Sequence, residues 1–213
     1  QAPSRELIAS MPPDSPVLFL IASPDAQIPV QGAFFHADSS DPTLCEVDVV
    51  RLETDIFSRL KGIFDTSVMA SKVVCVIGVG SGGSTGALEL AKSGVGNFIL
   101  VDFDRLRAHN VSRHVCGLSD VGRFKTRAVR DINLQHSPLA SVQCHEVDIT
   151  EDDDLLAEIV AQSDLVFAAT DNELSRYLIN EACLVASKPA VYGGAYERAF
   201  AGEVIRIIPG DAG

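Results

Sequence analysis

Three glycines (Gly78, Gly80 and Gly83), an acid at Asp102 and a dense set of cations between Arg105 and Arg130 are the residues whose types and spacing suggest chemistry. Glycines in a G-x-G-x-x-G pattern let the backbone turn tightly and bring bare N–H groups against an anion, typically the phosphates of a nucleotide. Asp102 follows about 20 residues on, where such a unit places the acid that holds a ribose hydroxyl pair. NAD and ATP both carry that ribose, so Asp102 points to a nucleoside without choosing between them. Segment 105–130 bears on the choice. It holds Arg105, Arg107, Arg113, Arg123, Lys125, Arg127 and Arg130 against a single acid, Asp120, in a chain of formal net charge −12. That local excess suits an anion denser than a pyrophosphate diester. For Arg105, Arg107, Arg127 and Arg130 a solvated basic helix face is the plainer reading.

Such glycines work only between a strand and a helix. Residues 73–77 are an apolar, β-branched run suited to a buried strand, and Ser84–Ser93 carries apolar residues at helical spacing. The N-terminus of that helix offers unpaired N–H groups to a phosphate. Asn97–Val101 is the next strand and ends on Asp102. Beyond it the pattern predicts helix 125–136, strand 141–147, helix 153–162, strand 164–169, helix 173–187 and strand 189–193. A glycine-broken run to Ile208 then continues the sheet with an antiparallel or mixed edge. The alternation predicts an α/β fold: a Rossmann-like, doubly wound, mainly parallel sheet with a mixed C-terminal edge. The acids Glu151–Asp154 precede an apolar-periodic segment and are read as helix-start charges rather than a metal cluster.

Residues 1–46 stand apart. Gln1–Pro16 is rich in Pro and Ser, Val17–Ala22 reads as a strand, Ile28–His36 as another, and Asp38–Pro42 as a polar break. This segment is expected to be an N-terminal extension or a β-rich fragment of a fused domain. Val47–Thr66 reads as a mostly helical lead-in to a second domain, 47–213. A first residue other than Met and an end at Gly213 suggest a piece of a longer protein.

At 213 residues and 46% hydrophobic, the chain can bury a sizeable core. Its acidic pI near 4.7 argues against nucleic acid or an anionic membrane as partner. No apolar segment reaches spanning length and the N-terminus lacks a leader pattern, so a cytoplasmic protein is expected. Cys45, Cys75, Cys116, Cys144 and Cys183 are scattered without metal spacing and read as reduced thiols, Cys75, Cys144 and Cys183 as buried hydrophobes. Cys116 has no neighbouring base to make it a transfer nucleophile.

The ordered set Asp102-Phe103-Asp104, His109-Asn110-Val111-Ser112-Arg113-His114, Val121-Gly122-Arg123-Phe124-Lys125 and Ala169-Thr170-Asp171-Asn172 with Arg176 resembles the ThiF/MoeB/HesA family, bacterial relatives of ubiquitin-activating enzymes. Gly94-Val95-Gly96, Lys188-Pro189, Gly202-Glu203-Val204 and Pro209-Gly210 are similar too, so the resemblance covers roughly 50–210. It implies an ATP-binding adenylation domain that activates the C-terminal carboxylate, usually of a Gly-Gly tail, on a small ubiquitin-like or sulfur-carrier protein. It also implies release of pyrophosphate and, in the bacterial family, a homodimer.

The resemblance gives Arg113 and Lys125 the task of gripping phosphates, Asn110 that of a neutral donor, and Asp171 that of binding Mg²⁺ through an oxygen. Gly78, Gly80, Gly83, Asp102, Asp104 and Asn172 complete the implied nucleotide site. Plainer readings stand beside these: Asp171 as a cap for the helix beginning near Asn172, Asp104 as a turn residue, Lys125 as a helix start, Arg176 as half of an ion pair. The family motif S-N-L-N-R-Q is here His109 to His114, so His109, Ser112 and His114 inherit no contact. The two C-x-x-C pairs that bind a structural zinc in many members do not occur in the sequence. A non-catalytic nucleotide-binding or scaffolding subunit is the alternative, and an NAD-dependent oxidoreductase a distant third.

Overall fold

A computed structural model of the chain describes residues 17–22, 30–35, 43–45, 47, 52, 56–60, 62–63, 65–196, 198 and 200–210. The chain divides into two compact units, Gln1–Arg51 and Leu52–Gly213. In the first, strands β1 (Val17–Ala22), β2 (Val30–Phe35) and β3 (Thr43–Cys45) form an antiparallel sheet in the order β1-β2-β3. Val17 pairs with Phe35 and Ala22 with Val30, and Ala33 is buried. The segments Gln1–Pro16 and Asp38–Pro42 lie outside the described residues.

The helical lead-in predicted over 47–66 is described in part. Where it is described, Leu52 is helical and Ser58–Leu60 form a 3-10 turn. Helix α1 (Thr66–Ser71) starts where the prediction stops. Asp65 sets that start: its Oδ1 accepts the N–H groups of Ser67 and Val68 at 3.0 and 3.3 Å.

The second unit then alternates β4 (Val73–Ile77), α2 (Ser81–Lys92), β5 (Asn97–Val101), α3 (Lys125–His136), β6 (Ser141–His145), α4 (Asp153–Gln162), β7 (Leu165–Ala168), α5 (Glu173–Val185), β8 (Ala190–Ala195) and β9 (Gly202–Ile207). Its sheet has the order β6-β5-β4-β7-β8-β9, with all neighbours parallel except β8 and β9. Counted within this unit, that is the Rossmann order 3-2-1-4-5-6, closed by the antiparallel edge expected from the glycine-broken run. The order reverses between β4 and β7, and ligands in open α/β sheets gather at the C-terminal ends of strands beside such a reversal.

The central strands β4, β5 and β7 are apolar almost throughout because both faces are covered. Val74, Val76, Phe98 and Leu100 point to one side, against Ala87 and Ala91 of α2 and Ala128 and Val129 of α3. Cys75, Ile77, Ile99, Val101 and Val166 point to the other, against Leu156, Ile159 and Val160 of α4 and Ile179 and Cys183 of α5. The acids before α4 act as expected: Asp152 Oδ1 accepts the N–H of Leu155 at 2.9 Å, and Asp153 and Asp154 occupy the first turn.

Candidate functional site

Strand register assembles the site. Ile77 pairs with Val101 on one side and Ala168 on the other, so Gly78, Asp102 and Ala169 leave the sheet at one level. Gly78 is left-handed (φ +84), and a Cβ there would stand 2.9 Å from the carbonyl of Ala169. A Cβ on Gly83 would lie 1.8 Å from the Gly78 oxygen. Both glycines are therefore required by packing, and α2 begins at Ser81, three residues before the predicted start, winding through Gly82 and Gly83. Its N-cap, Gly80, has no side chain to offer the first N–H groups, and Gly80, Ser81 and Gly82 line a cleft of about 1280 Å³. Gly83 is not on the cleft wall; its place in the motif reflects the contact with Gly78.

Asp102 is a hub beneath the turn. Its Oδ2 accepts the N–H of Val79 at 3.0 Å, its Oδ1 accepts the N–H of Asp104 at 2.9 Å, and Lys125 Nζ lies 3.7 Å from Oδ1. Burial raises the carboxyl above its ordinary pKa, opposed by the Asp104 N–H and the Lys125 charge. Two backbone bonds leave further lone pairs on the carboxylate. Lys125 opens α3 with its side chain only 11% exposed and donates to Asp104 Oδ2 at 2.7 Å. It is both a helix start and a cation at the cleft wall, and Asp104 is its counter-ion rather than a free turn residue.

The basic stretch separates into two groups. Arg123 pairs with Asp120 and Asp131, Arg127 with Glu146, and Arg130 with Asp131. Arg105 stacks 3.8 Å over the Phe124 ring and, with Arg107 and Arg113, lines the cleft. Arg105 and Arg107 thus depart from the solvated-face reading. Among the described residues no carboxylate forms an ion pair with Arg107 or Arg113, and Arg113 is exposed. Asn110 Oδ1 accepts the N–H of Arg107 at 2.9 Å, which leaves its amide nitrogen as the free donor. His114 reaches the glycine turn: Nε2 lies 2.8 Å from the Val79 oxygen and Nδ1 accepts the N–H of Cys116 at 3.1 Å. Nothing in the sequence marked that contact, which joins residues 35 apart.

On the far side of the reversal, the cap is Asn172, whose Oδ1 accepts the N–H of Ser175 at 2.7 Å. The cap reading of Asp171 is thereby corrected. Asp171 is exposed, lines the cleft and makes no hydrogen bond or ion pair among the described residues. Arg176 does pair with an acid, Glu203 (3.3 Å), and also donates to the carbonyls of Thr170 and Gly193 at 3.2 and 2.9 Å, binding the turn after β7 to β8 and β9. Among the described residues no group of three or more His, Cys, Asp and Glu is placed to hold a metal ion. A cation at Asp171 would therefore take most of its oxygens from phosphate and water, the usual habit of Mg²⁺, and the uncommitted carboxylate fits it. Cys116 is buried, and burial pushes its thiol up to about 12.

The fold, the phosphate-suited turn and the charged cleft define a Rossmann-like α/β protein. The chain belongs to the ThiF family, whose sequence model matches residues 56–213. It is 40% identical over 154 residues to the probable adenylyltransferase/sulfurtransferase MoeZ of Mycobacterium tuberculosis, covering 72% of this chain and 39% of that protein. To the adenylyltransferase and sulfurtransferase MOCS3 of Culex quinquefasciatus it is 36% identical over 151 residues, covering 70% and 34%. The chain thus spans well under half the length of these curated relatives. Escherichia coli MccB, solved with ATP, aligns with a TM-score of 0.63 at 21% identity over 75% of this chain and 50% of that one. The E. coli tRNA N6-threonylcarbamoyladenosine dehydratase TcdA gives 0.62 at 25% over 66% and 60%. No helix among the described residues is long and apolar enough to cross a membrane.

Proposed function

We propose that the second unit is the adenylating domain of an ATP-dependent adenylyltransferase acting on the C-terminal carboxylate of a small ubiquitin-like or sulfur-carrier protein ending in Gly-Gly. A carboxylate oxygen attacks the α-phosphorus, the bond from that phosphorus to the bridging oxygen breaks, and pyrophosphate leaves with the bond's electrons. Both reactants are anions, so the site must neutralise charge and align them. Gly78, Gly80 and the open N-terminus of α2 receive phosphate; Asp102 takes the ribose hydroxyls; Arg113 and the Asn110 amide contact phosphate oxygens. Lys125 supplies a second cation from the wall. Mg²⁺, held through Asp171, would neutralise charge on the departing pyrophosphate. We place the protein in the cytoplasm as a homodimer.

The observation that carries this reading is the juxtaposition, in one cleft beside the strand reversal, of an uncapped helix N-terminus with an arginine, Arg113, and a carboxylate, Asp171, neither of which forms an ion pair among the described residues. The family match and the name of MoeZ support it. The pairing of Lys125 with Asp104 favours a second reading, a nucleotide-binding or scaffolding subunit in which that cation is already neutralised.

Exchange of labelled pyrophosphate into ATP, in the presence of a carrier protein ending in Gly-Gly, separates the two. The parent should exchange, and Arg113→Lys should lose about 10²-fold, because an ammonium cannot contact two phosphate oxygens as the planar guanidinium does. Its thermal midpoint should hold, since Arg113 is exposed. Equal exchange in the two proteins would remove Arg113 from the site, and a parent that binds ATP without exchanging would favour the scaffold.

A further inference from the structure

The glycine turn and the loop carrying Arg113 are distant in sequence, and an anion site built from both needs them held in one geometry. Gly78 and Gly80 have the widest backbone freedom of any residue type, so the turn cannot fix its own shape. The peptide groups of Val79, between them, are held from outside. Its N–H donates to Asp102 Oδ2 at 3.0 Å, and its carbonyl faces His114 Nε2 at 2.8 Å. Because His114 Nδ1 accepts the N–H of Cys116, the ring is the neutral tautomer with its proton on Nε2, and the Val79 contact is a donated hydrogen bond. The charged groups facing the half-buried ring are Lys125, Asp102 and Arg113, and burial holds its pKa below the ordinary value, which keeps Nδ1 an acceptor.

We propose that His114 is a positioning residue: it ties the loop that carries Arg113 to the Val79 carbonyl and so sets the glycine turn in the shape that receives phosphate. This rests on the reading of the cleft as a nucleotide site. His114 touches no reacting group; it acts through the turn and through its neighbour Arg113. The two amide side chains dissect it. Gln at 114 can place a donor where Nε2 stands, retaining the bond to Val79. Asn can place an acceptor where Nδ1 stands, retaining only the bond from Cys116.

The experiment compares His114→Ala, His114→Gln and His114→Asn with the parent chain in two measurements: amide hydrogen exchange of Val79 and Ser84, the hydrogen-bonded amides of the turn, without ligand, and calorimetric affinity for ATP and for adenosine. His114→Ala should exchange about tenfold faster at those amides and bind ATP about tenfold more weakly, the scale of one hydrogen bond, with adenosine affinity unchanged. His114→Gln should restore both, and His114→Asn neither. Unchanged exchange in His114→Ala, rescue by Asn in place of Gln, or an equal loss for adenosine and ATP would overturn the proposal. A parent that binds no ATP would end the nucleotide reading, while the exchange measurements would still decide whether His114 sets the turn.

Discussion

Two strand–turn–helix units stand side by side at the strand reversal, β4 to α2 and β7 to α5, and they end their turns in opposite ways. At the first, the N-cap is Gly80, which has no side chain, so the leading N–H groups of α2 open on the cleft. At the second, Asn172 closes the helix end on Ser175, and the residue before it, Asp171, presents a carboxylate that has no partner among the described residues. One turn offers positive backbone dipole and the other negative charge. A phosphate chain with a bound divalent cation needs both, set a short distance apart. The same local topology serves both tasks because a single residue decides whether the helix end is closed from within.

The contrast also separates residues that hold the fold from residues that serve the cleft. The largest expected effect is at Gly83, whose added Cβ would collide with backbone rather than with a yielding side chain. Gly83→Ala should cost about 3 kcal/mol of stability, measured by urea unfolding. A variant as stable as the parent would show that α2 shifts freely against β4. Next comes Asp171→Asn, which keeps shape and removes charge. Pyrophosphate exchange should fall by about 10²-fold while the unfolding midpoint stays put, and a destabilised variant would return Asp171 to a structural role. Asn172→Ala is the smallest, at about 1 kcal/mol of stability for the lost cap. Exchange activity falling far more than stability in that variant would mean that Asn172 contacts ligand after all.

The layered fold was legible from the sequence because its signals are local. Apolar runs such as 73–77 and 97–101 declare buried strands, and glycines or short polar residues punctuate them. Helix α3 lies where the sequence predicts it, at 125–136. Helix α2 begins earlier than expected because glycine is a poor helix former on its own, by about 1 kcal/mol, yet the contact with Gly78 tolerates no side chain. Asp171 and Asn172 are both good caps by composition, and only backbone geometry distinguishes them. The partners of Arg123, Arg127 and Lys125 were invisible because Asp131, Glu146 and Asp104 come together with them by folding. Arg105 and Arg107 line the cleft only because the loop after β5 folds back along it. The His114 to Val79 bond has no local signature at all.

A thermal shift of the parent chain tests whether this cleft takes a nucleoside triphosphate with its cation. ATP with Mg²⁺ at 100 times its Kd should stabilise the fold by about 2.7 kcal/mol and raise the midpoint accordingly, with NADH at the same concentration doing much less. A larger shift with NADH than with ATP would contradict the account and restore the dinucleotide reading of the glycine turn.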